Sequence, residues 1–432
     1  MARFIGALRS LATRLPFINP LVQEFYFQTQ LTAHQKLLRA YKQRHAGRKP
    51  DQIDDRPLLI GYFETGFGLG EHARGLASAL QAVDVPFSVY PYNGFTGRPR
   101  DEAPWASRYD VDNIHAINIV SMATNQTRNA RRIIGHRHFD RSYNILVAPW
   151  ELPHVPESWR EDLNAFDELW ALSEFVAEAF RPIFTKPIVI VPPSIDLAEN
   201  IMPDRHKFGM TVDGFYFLFS FDFSSRPHRK NPIAVLRAFE LAFGRKPDNV
   251  GLILKLSGSQ NRFPDEMSEI ETAARHDRRI AILRGVWKRT DMLTLLASAD
   301  CYVSLHRSEG FGLGMAEAMA FGKPVIGTAF SGNTDFLTVD TGYPVPYTLC
   351  PVHEGEYPHH EDNVWAEPDV QAAAEFMRTV AAKSDEARGR ALSGQVFIRE
   401  HCGPKAVGAL ISARLHEIKN SGAVNKAGRR FS

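Results

Sequence analysis

Cysteine is scarce: Cys301, Cys350 and Cys402 are the only three in 432 residues, far apart and odd in number. That spacing excludes a disulfide framework and a clustered cysteine zinc site, and it suits a reducing compartment. No run of about 18 apolar residues occurs, so no segment reads as a membrane-spanning helix. A secretory h-region with its cleavage site is also missing. Nor is there a dinucleotide fingerprint. Gly66, Gly68 and Gly70 have the wrong spacing, and the second strand expected ends in Val89-Tyr90-Pro91, without the acidic residue that would hold a ribose. An NAD-linked oxidoreductase is therefore not the reading. With 44% hydrophobic and 23% charged residues, the composition is that of an ordinary globular protein, not a disordered or fibrous one.

Acidic residues are lacking in one place. Residues 1–50 hold nine Lys or Arg against the single acid Glu24, while the remainder carries 42 bases against 48 acids. On a helical wheel Phe4, Ile5, Leu8, Leu11 and Leu15 share one side, and Arg3, Arg9 and Arg14 fall elsewhere. This pattern suits a helix lying in an anionic membrane surface, and equally one packed on its own domain. No nucleic-acid motif accompanies the charge, so no nucleic-acid partner is expected. The expected location is cytoplasmic, peripheral on the inner face of the cytoplasmic membrane if the surface reading holds.

A chain of this length exceeds what a single core serves, so two domains are expected. From residue 57 onward short β-branched and aromatic runs alternate with amphipathic stretches, the pattern of parallel sheets covered by helices. Strands are expected at 58–63, 86–90, 116–120, 144–148, 168–171 and 188–191. After a polar stretch at 194–214, a second series follows at 215–221, 251–256, 280–283, 301–305 and 324–327. The division reads as a basic amphipathic segment (1–56), a first Rossmann-like domain (57–200), a second (201–400) and a C-terminal helix with a basic tail (401–432). Residues 369–419 look helical and are expected to pack back over the first domain.

One five-letter string occurs twice. Gly66-Phe67-Gly68-Leu69-Gly70 recurs as Gly310-Phe311-Gly312-Leu313-Gly314, each copy between an expected strand and helix. Glycines let backbone amides approach an anion, and a helix start aims free N–H groups and a positive dipole end at it. Two carboxylates, Glu309 and Glu317, stand eight positions apart around the second copy. That is too far for a neighbouring pair on one helix, so they serve different parts of a ligand. A carboxylate can accept two hydroxyls, which suits Glu317 to a ribose diol and Glu309 to a sugar.

The whole segment, His306 to Ala320 with Gly322-Lys323-Pro324-Val325-Ile326 after it, resembles the retaining glycosyltransferases of family 4, the group 1 glycosyltransferases with a Glu-x7-Glu motif. The resemblance spans roughly residues 57–415. It implies the GT-B fold: two Rossmann-like doubly wound α/β domains facing across a cleft. Carried onto matching positions, it implies that Glu309 binds the donor sugar, Glu317 the ribose, and Gly310, Phe311, Gly312 and Leu313 the sugar and phosphates. Ser331-Gly332-Asn333-Thr334-Asp335 resembles the loop after the next strand. Lys230 matches the family's phosphate lysine. The family's arginine six residues earlier is Ser224 here, so Arg226 or Arg229 is expected to substitute. Gly68 and Gly70, with Glu71 and His72 beginning the following helix, resemble the loop that closes on the donor phosphates. A histidine usual after a first-domain strand is absent from Ala148-Pro149-Trp150-Glu151-Leu152-Pro153, and Glu151 is expected in its place, touching sugar or acceptor.

The activity so implied is hexose transfer, mannose-like or glucose-like, from a nucleotide diphosphate sugar to a glycan or lipid-linked acceptor with retention, in bacterial surface polysaccharide synthesis. Glu309, Lys230 and Glu151 are the expected catalytic residues. The route implied is front-side displacement, resting on positioning and charge stabilisation. No cofactor and no metal are expected. A metal-dependent rival could use Asp110-Val111-Asp112, though that triplet precedes a strand instead of following one. The other alternative is a catalytically degenerate sugar-nucleotide scaffold in a polysaccharide assembly complex, kept open by Ser224 and the missing histidine.

Overall fold

The computed structural model describes residues 53–66, 68–92, 103–127, 132, 134–197, 200–244, 249–382 and 384–424, besides residues 28 and 32. The amphipathic face of residues 1–50 and Phe67 lie outside the described residues, as does the loop from 93 to 102.

The first domain contributes β1 (Ile53–Asp54), β2 (Leu58–Gly61), α1 (Gly68–Ala82), β3 (Ser88–Pro91), β4 (Ile114–His115), β5 (Ile117–Ser121), α2 (His136–Asp140), β6 (Tyr143–Ala148), α3 (Arg160–Leu163), β7 (Glu168–Ala171), α4 (Glu174–Phe180) and β8 (Ile188–Ile190). Six of these strands form a parallel sheet in the order β3-β2-β5-β6-β7-β8. Covered on both faces, the central strands read as unbroken apolar runs such as Leu58-Leu59-Ile60, all at most 1% exposed.

The second domain contributes β9 (Phe215–Asp222), α5 (Pro227–Lys230), α6 (Pro232–Phe243), β10 (Val250–Ser257), α7 (Pro264–His276), β11 (Ile280–Arg284), α8 (Arg289–Ser298), β12 (Cys301–Ser304), α9 (Leu313–Ala320), β13 (Val325–Thr328), β14 (Tyr343–Val345), β15 (Tyr347–Pro351) and β16 (Val364–Pro368). Its six-stranded parallel sheet runs β11-β10-β9-β12-β13-β14. Helix α6 starts where Asn231 caps it by accepting from the Ala234 N–H and Pro232 takes the first position, which needs no donor.

Every strand expected from the sequence is present, with ends shifted by a residue or two. The short edge strand β14 and the antiparallel hairpin β15–β16 were not anticipated. They lie on a stretch with no sustained alternation, and β15 is largely exposed.

Three helices complete the chain: α10 (Val370–Ala381), α11 (Asp385–Cys402) and α12 (Pro404–Asn420). The tail expected to be continuous is thus broken where Ser384 caps α11 and where Gly403-Pro404 starts α12. Helix α12 does return to the first domain. Gly408 has no side chain, and a Cβ there would collide with the Ala79 carbonyl of α1, so the two helices meet backbone to backbone. Beneath them Arg414 grips the fully buried Glu168 of β7 with two hydrogen bonds of 2.9 and 2.8 Å. Tyr143 and Trp170 donate to the same carboxylate at 2.9 and 2.7 Å, which satisfies a charge that burial would otherwise penalise.

Candidate active site

In each sheet one pair of neighbouring strands sends its connections opposite ways. In the second domain the pair is β9 and β12, and ligand crevices in open α/β sheets lie beyond the carboxyl ends of such a pair. The turn after β9 carries Arg226, and the single-turn helix α5 that follows carries Arg229 and Lys230; the segment from β12 into α9 carries Glu309 and the second glycine string. Topology therefore brings together residues 79 positions apart.

Glu309 is 8% exposed, with both carboxylate oxygens occupied. Lys230 Nζ donates to Oε1, and Arg229 Nη1 stands 3.2 Å from Oε2. The backbone of Glu309 is pinned as well, its N–H donating to Ser331 Oγ at 2.8 Å and its carbonyl accepting from Gly332 at 2.9 Å. Burial would raise this carboxyl, but Lys230, Arg229 and His306 outweigh it and bring Glu309 to about 2. Burial also pushes the Lys230 ammonium down, against the pull of Glu309. Arg229 is shifted up despite its burial, because Glu309 and Glu151 face it. The centre holds two cations against one fully engaged carboxylate, with Glu151 Oε1 further off at 3.9 Å from Arg229.

Arg229 is 3% exposed and also donates to the carbonyls of Ser308, at 2.8 Å, and Ser225, at 3.2 Å. It thereby fastens the two rim loops to each other. Arg226 differs. Its backbone sits at φ +69°, a conformation that costs a non-glycine residue about 1–3 kcal/mol. Its guanidinium lies 5.9 Å from the Phe263 ring, with no ion pair among the described residues. Ser224, where the resemblance would have placed an arginine, is exposed.

The second glycine string is tightly enclosed. Gly312 caps α9 at φ +96°, and no side chain caps the helix start. A Cβ on Gly310 would come 2.6 Å from the Trp150 carbonyl, and one on Gly314 2.5 Å from the Tyr302 hydroxyl. Phe311 is buried against Phe336, ring centroids 5.0 Å apart. Leu313 opens the helix, and Glu317, 6% exposed, sits one turn further on. There Arg289 Nη2 meets Glu317 Oε1 at 2.6 Å.

First-domain loops close over this string. Ser173 Oγ donates to the Gly310 carbonyl at 2.7 Å, the Glu174 N–H to Asp335 Oδ2 at 2.9 Å, and Ser308 Oγ to the Glu151 carbonyl. Glu151 lies in the loop after β6, as expected, and its Oε2 accepts from the Tyr357 hydroxyl at 2.7 Å. Tyr357 comes from the unanticipated β15–β16 hairpin. Gly68 and Gly70 sit in the first turn of α1. A Cβ on Gly70 would collide with the Thr65 carbonyl and stand 2.9 Å from that of Tyr62, whereas Gly68 faces open space. Sequence reasoning missed Tyr357 and Arg289, since nothing in their spacing marks them.

Among the described residues, one group of possible metal ligands brings Asp54, Asp110 and His115 within 4.8 Å of one another. Asp110, the first letter of the rival triplet, accepts from the Asn113 N–H and side chain at 3.2 and 2.8 Å. Asp54 is already paired with Arg56. The two carboxylates are thus committed within the first domain, and the buried His115 Nε2 lies 3.4 Å from Asp110 Oδ2.

Two Rossmann-like domains meeting across such a crevice define the GT-B fold. The model of the family described as glycosyl transferases group 1 matches residues 213–345, which run from just before β9 to the end of β14. No curated protein matches the chain. Among solved structures, sucrose-phosphate synthase from Thermosynechococcus elongatus is 15% identical with a TM-score of 0.59, covering 85% of this chain and 100% of that one. Anabaena HepE in complex with UDP and glucose is 15% identical with a TM-score of 0.58, covering 84% and 100%. A mutant of Staphylococcus aureus TarM, in complex with fondaparinux, α-GlcNAc-glycerol and UDP, is 14% identical with a TM-score of 0.50. That match covers 71% of this chain and 55% of TarM. At these identities the fold is what is shared.

Proposed function

We propose that the protein is a glycosyltransferase that moves a hexose from a nucleotide diphosphate sugar to a glycan or lipid-linked acceptor, with retention and without a metal. The observation that carries this reading is the convergence of Lys230, Glu309 and the uncapped start of α9 on one crevice between the domains. A departing nucleotide diphosphate develops negative charge, which fixed cations and helix amides stabilise best where water is kept out. Lys230 supplies one such cation. Arg226, free of any ion pair among the described residues, is better disposed to supply a second than Arg229, which is held between the two rim loops. Glu309 and Glu317, buried at opposite ends of the glycine turn, suit sugar hydroxyls and a ribose diol respectively.

In this reading the acceptor hydroxyl attacks from the side of the leaving phosphate, which takes up its proton. Glu151 lines the first-domain side of the crevice and orients Arg229. The family match and the HepE and TarM complexes make UDP-hexoses the first donors to test, with GDP-mannose next. Bacterial surface polysaccharide is the pathway class proposed, with residues 1–50 meeting an anionic membrane surface.

A panel of nucleotide diphosphate sugars should raise the melting temperature for the true donor, since a ligand of the folded state stabilises it in proportion to affinity. Glu317→Ala should abolish that shift. Transfer should persist in excess EDTA; loss restored by manganese would favour the metal-dependent rival. Ser224 and the missing histidine favour a second reading, a sugar-nucleotide-binding scaffold. Binding of donor without hydrolysis or transfer, across many acceptors, would support it.

A further inference from the structure

Arg289 opens α8 in the second domain, yet it touches both domains. Its Nη2 lies 2.6 Å from Glu317 Oε1, and its Nε lies 3.5 Å from Glu71 Oε2, in the first turn of α1. Glu71 is itself tied back, since Arg74 Nη2 reaches Glu71 Oε1 at 2.7 Å. Arg74 Nη1 donates to the Phe63 and Thr65 carbonyls at 3.0 Å each. A continuous chain of charge-assisted contacts thus runs from the loop before the first glycine string to the carboxylate beyond the second one. Burial opposes the charge on Arg289, but Glu317, Glu71 and Asp196 hold it protonated.

The two arms of Arg289 are unequal: close to Glu317, looser to Glu71. Glu317 Oε1 is already paired with the guanidinium at 2.6 Å, so a diol that takes both carboxylate oxygens competes with Arg289 for lone pairs there. We propose that Arg289 is a positioning residue that hands over Glu317 to the donor's ribose and then closes on Glu71. Donor binding and the contact between the two glycine loops are thereby coupled. The inference rests on the reading that Glu317 receives a ribose diol. The closer contact is surrendered to the ligand, and the guanidinium is left with its first-domain acidic neighbours, Glu71 at 3.5 Å and Asp196. A ligand shifts such an equilibrium only through its different affinity for the two arrangements, and here the difference comes from the ribose hydroxyls. Coupling of this type typically amounts to about 5–150-fold in affinity.

The test compares a nucleoside diphosphate with its 2′,3′-dideoxy analogue, UDP and GDP being the probes, by calorimetry on the full chain. Glu71→Gln should weaken the ribonucleotide at least about 5-fold and leave the dideoxy form unchanged. In an Arg289→Gln background the same Glu71→Gln change should have no further effect. Arg289→Lys, which keeps the charge but loses the fork, should lose most of the coupling while melting as the parent does. Equal weakening of both probes, or no weakening of either, overturns the handover. A different outcome sinks the underlying reading instead: wild-type protein that binds neither ribonucleotide, or that binds ribo and dideoxy forms equally well.

Discussion

The two copies of Gly-Phe-Gly-Leu-Gly share every letter and both stand between a strand and a helix, yet they fold differently. In the first copy the helix begins at Gly68, the third letter; in the second it begins at Leu313, the fourth, after Gly312 turns into the left-handed region. Gly68 has open space around it and Gly70 is crowded only by backbone of its own domain, whereas Gly310 is crowded by Trp150 of the opposite domain and Gly312 and Gly314 by side chains of their own. The surroundings account for the difference. The second copy is clamped by first-domain backbone at Trp150 and by Ser173, and its flanking carboxylates carry cations. The first is fastened mainly to its own domain. Identical letters therefore yield one string that is helical from its third letter and one that turns at its third letter before the helix begins.

The largest effect should come from removing the charge beside the second copy. Glu309→Gln leaves Lys230 and Arg229 buried without their partner, and breaking a buried pair in this way costs about 3–5 kcal/mol. Thermal melting should show the loss, and transfer should fall below detection. Next, Gly312→Ala places a side chain at φ +96° and against Met315. It should destabilise by about 1–3 kcal/mol and weaken nucleotide binding, read by denaturant titration and calorimetry.

Acid should distinguish the copies as well. His72, on the first copy's helix, is lowered by burial from 6.5 to about 4, its Nδ1 meeting Ser121 Oγ at 3.0 Å across the first sheet's own crevice. Its folded form resists protonation, so stability present above about pH 6.5 is lost as pH falls toward 4. Glu309, lowered from 4.5 to about 2, adds a loss only between those values. His72→Phe should flatten the upper part of the stability profile and leave the lower part in place. The smallest effect should be Gly68→Ala, within about 0.5 kcal/mol of the parent in melting and silent in nucleotide binding. A Gly68→Ala change as damaging as Gly312→Ala would erase the contrast.

Much of this architecture was legible in the residues. The eleven strands expected from apolar runs bounded by turn residues are all present, because strands buried on both faces need such runs. Lys230 and Glu309 were expected to serve one ligand, and the order of β9 and β12 brings them into contact. The β15–β16 hairpin escaped notice because an exposed hairpin needs no alternation. With it went Tyr357, whose hold on Glu151 depends on a fold-back from a distant stretch. Arg289 gave no signal either, since an arginine at a helix start is ordinary until the opposite domain places Glu71 beside it.

The sequence by itself determined two parallel sheets, the glycine turn opening α9 and the pair of carboxylates around it, since each follows from local periodicity, glycine geometry or spacing along the chain. Only the tertiary structure decided which side chains share those carboxylates, and that one copy of a repeated string is held by its own domain and the other by the opposite one. Burial, ion pairing and steric crowding depend on neighbours that chain order does not reveal.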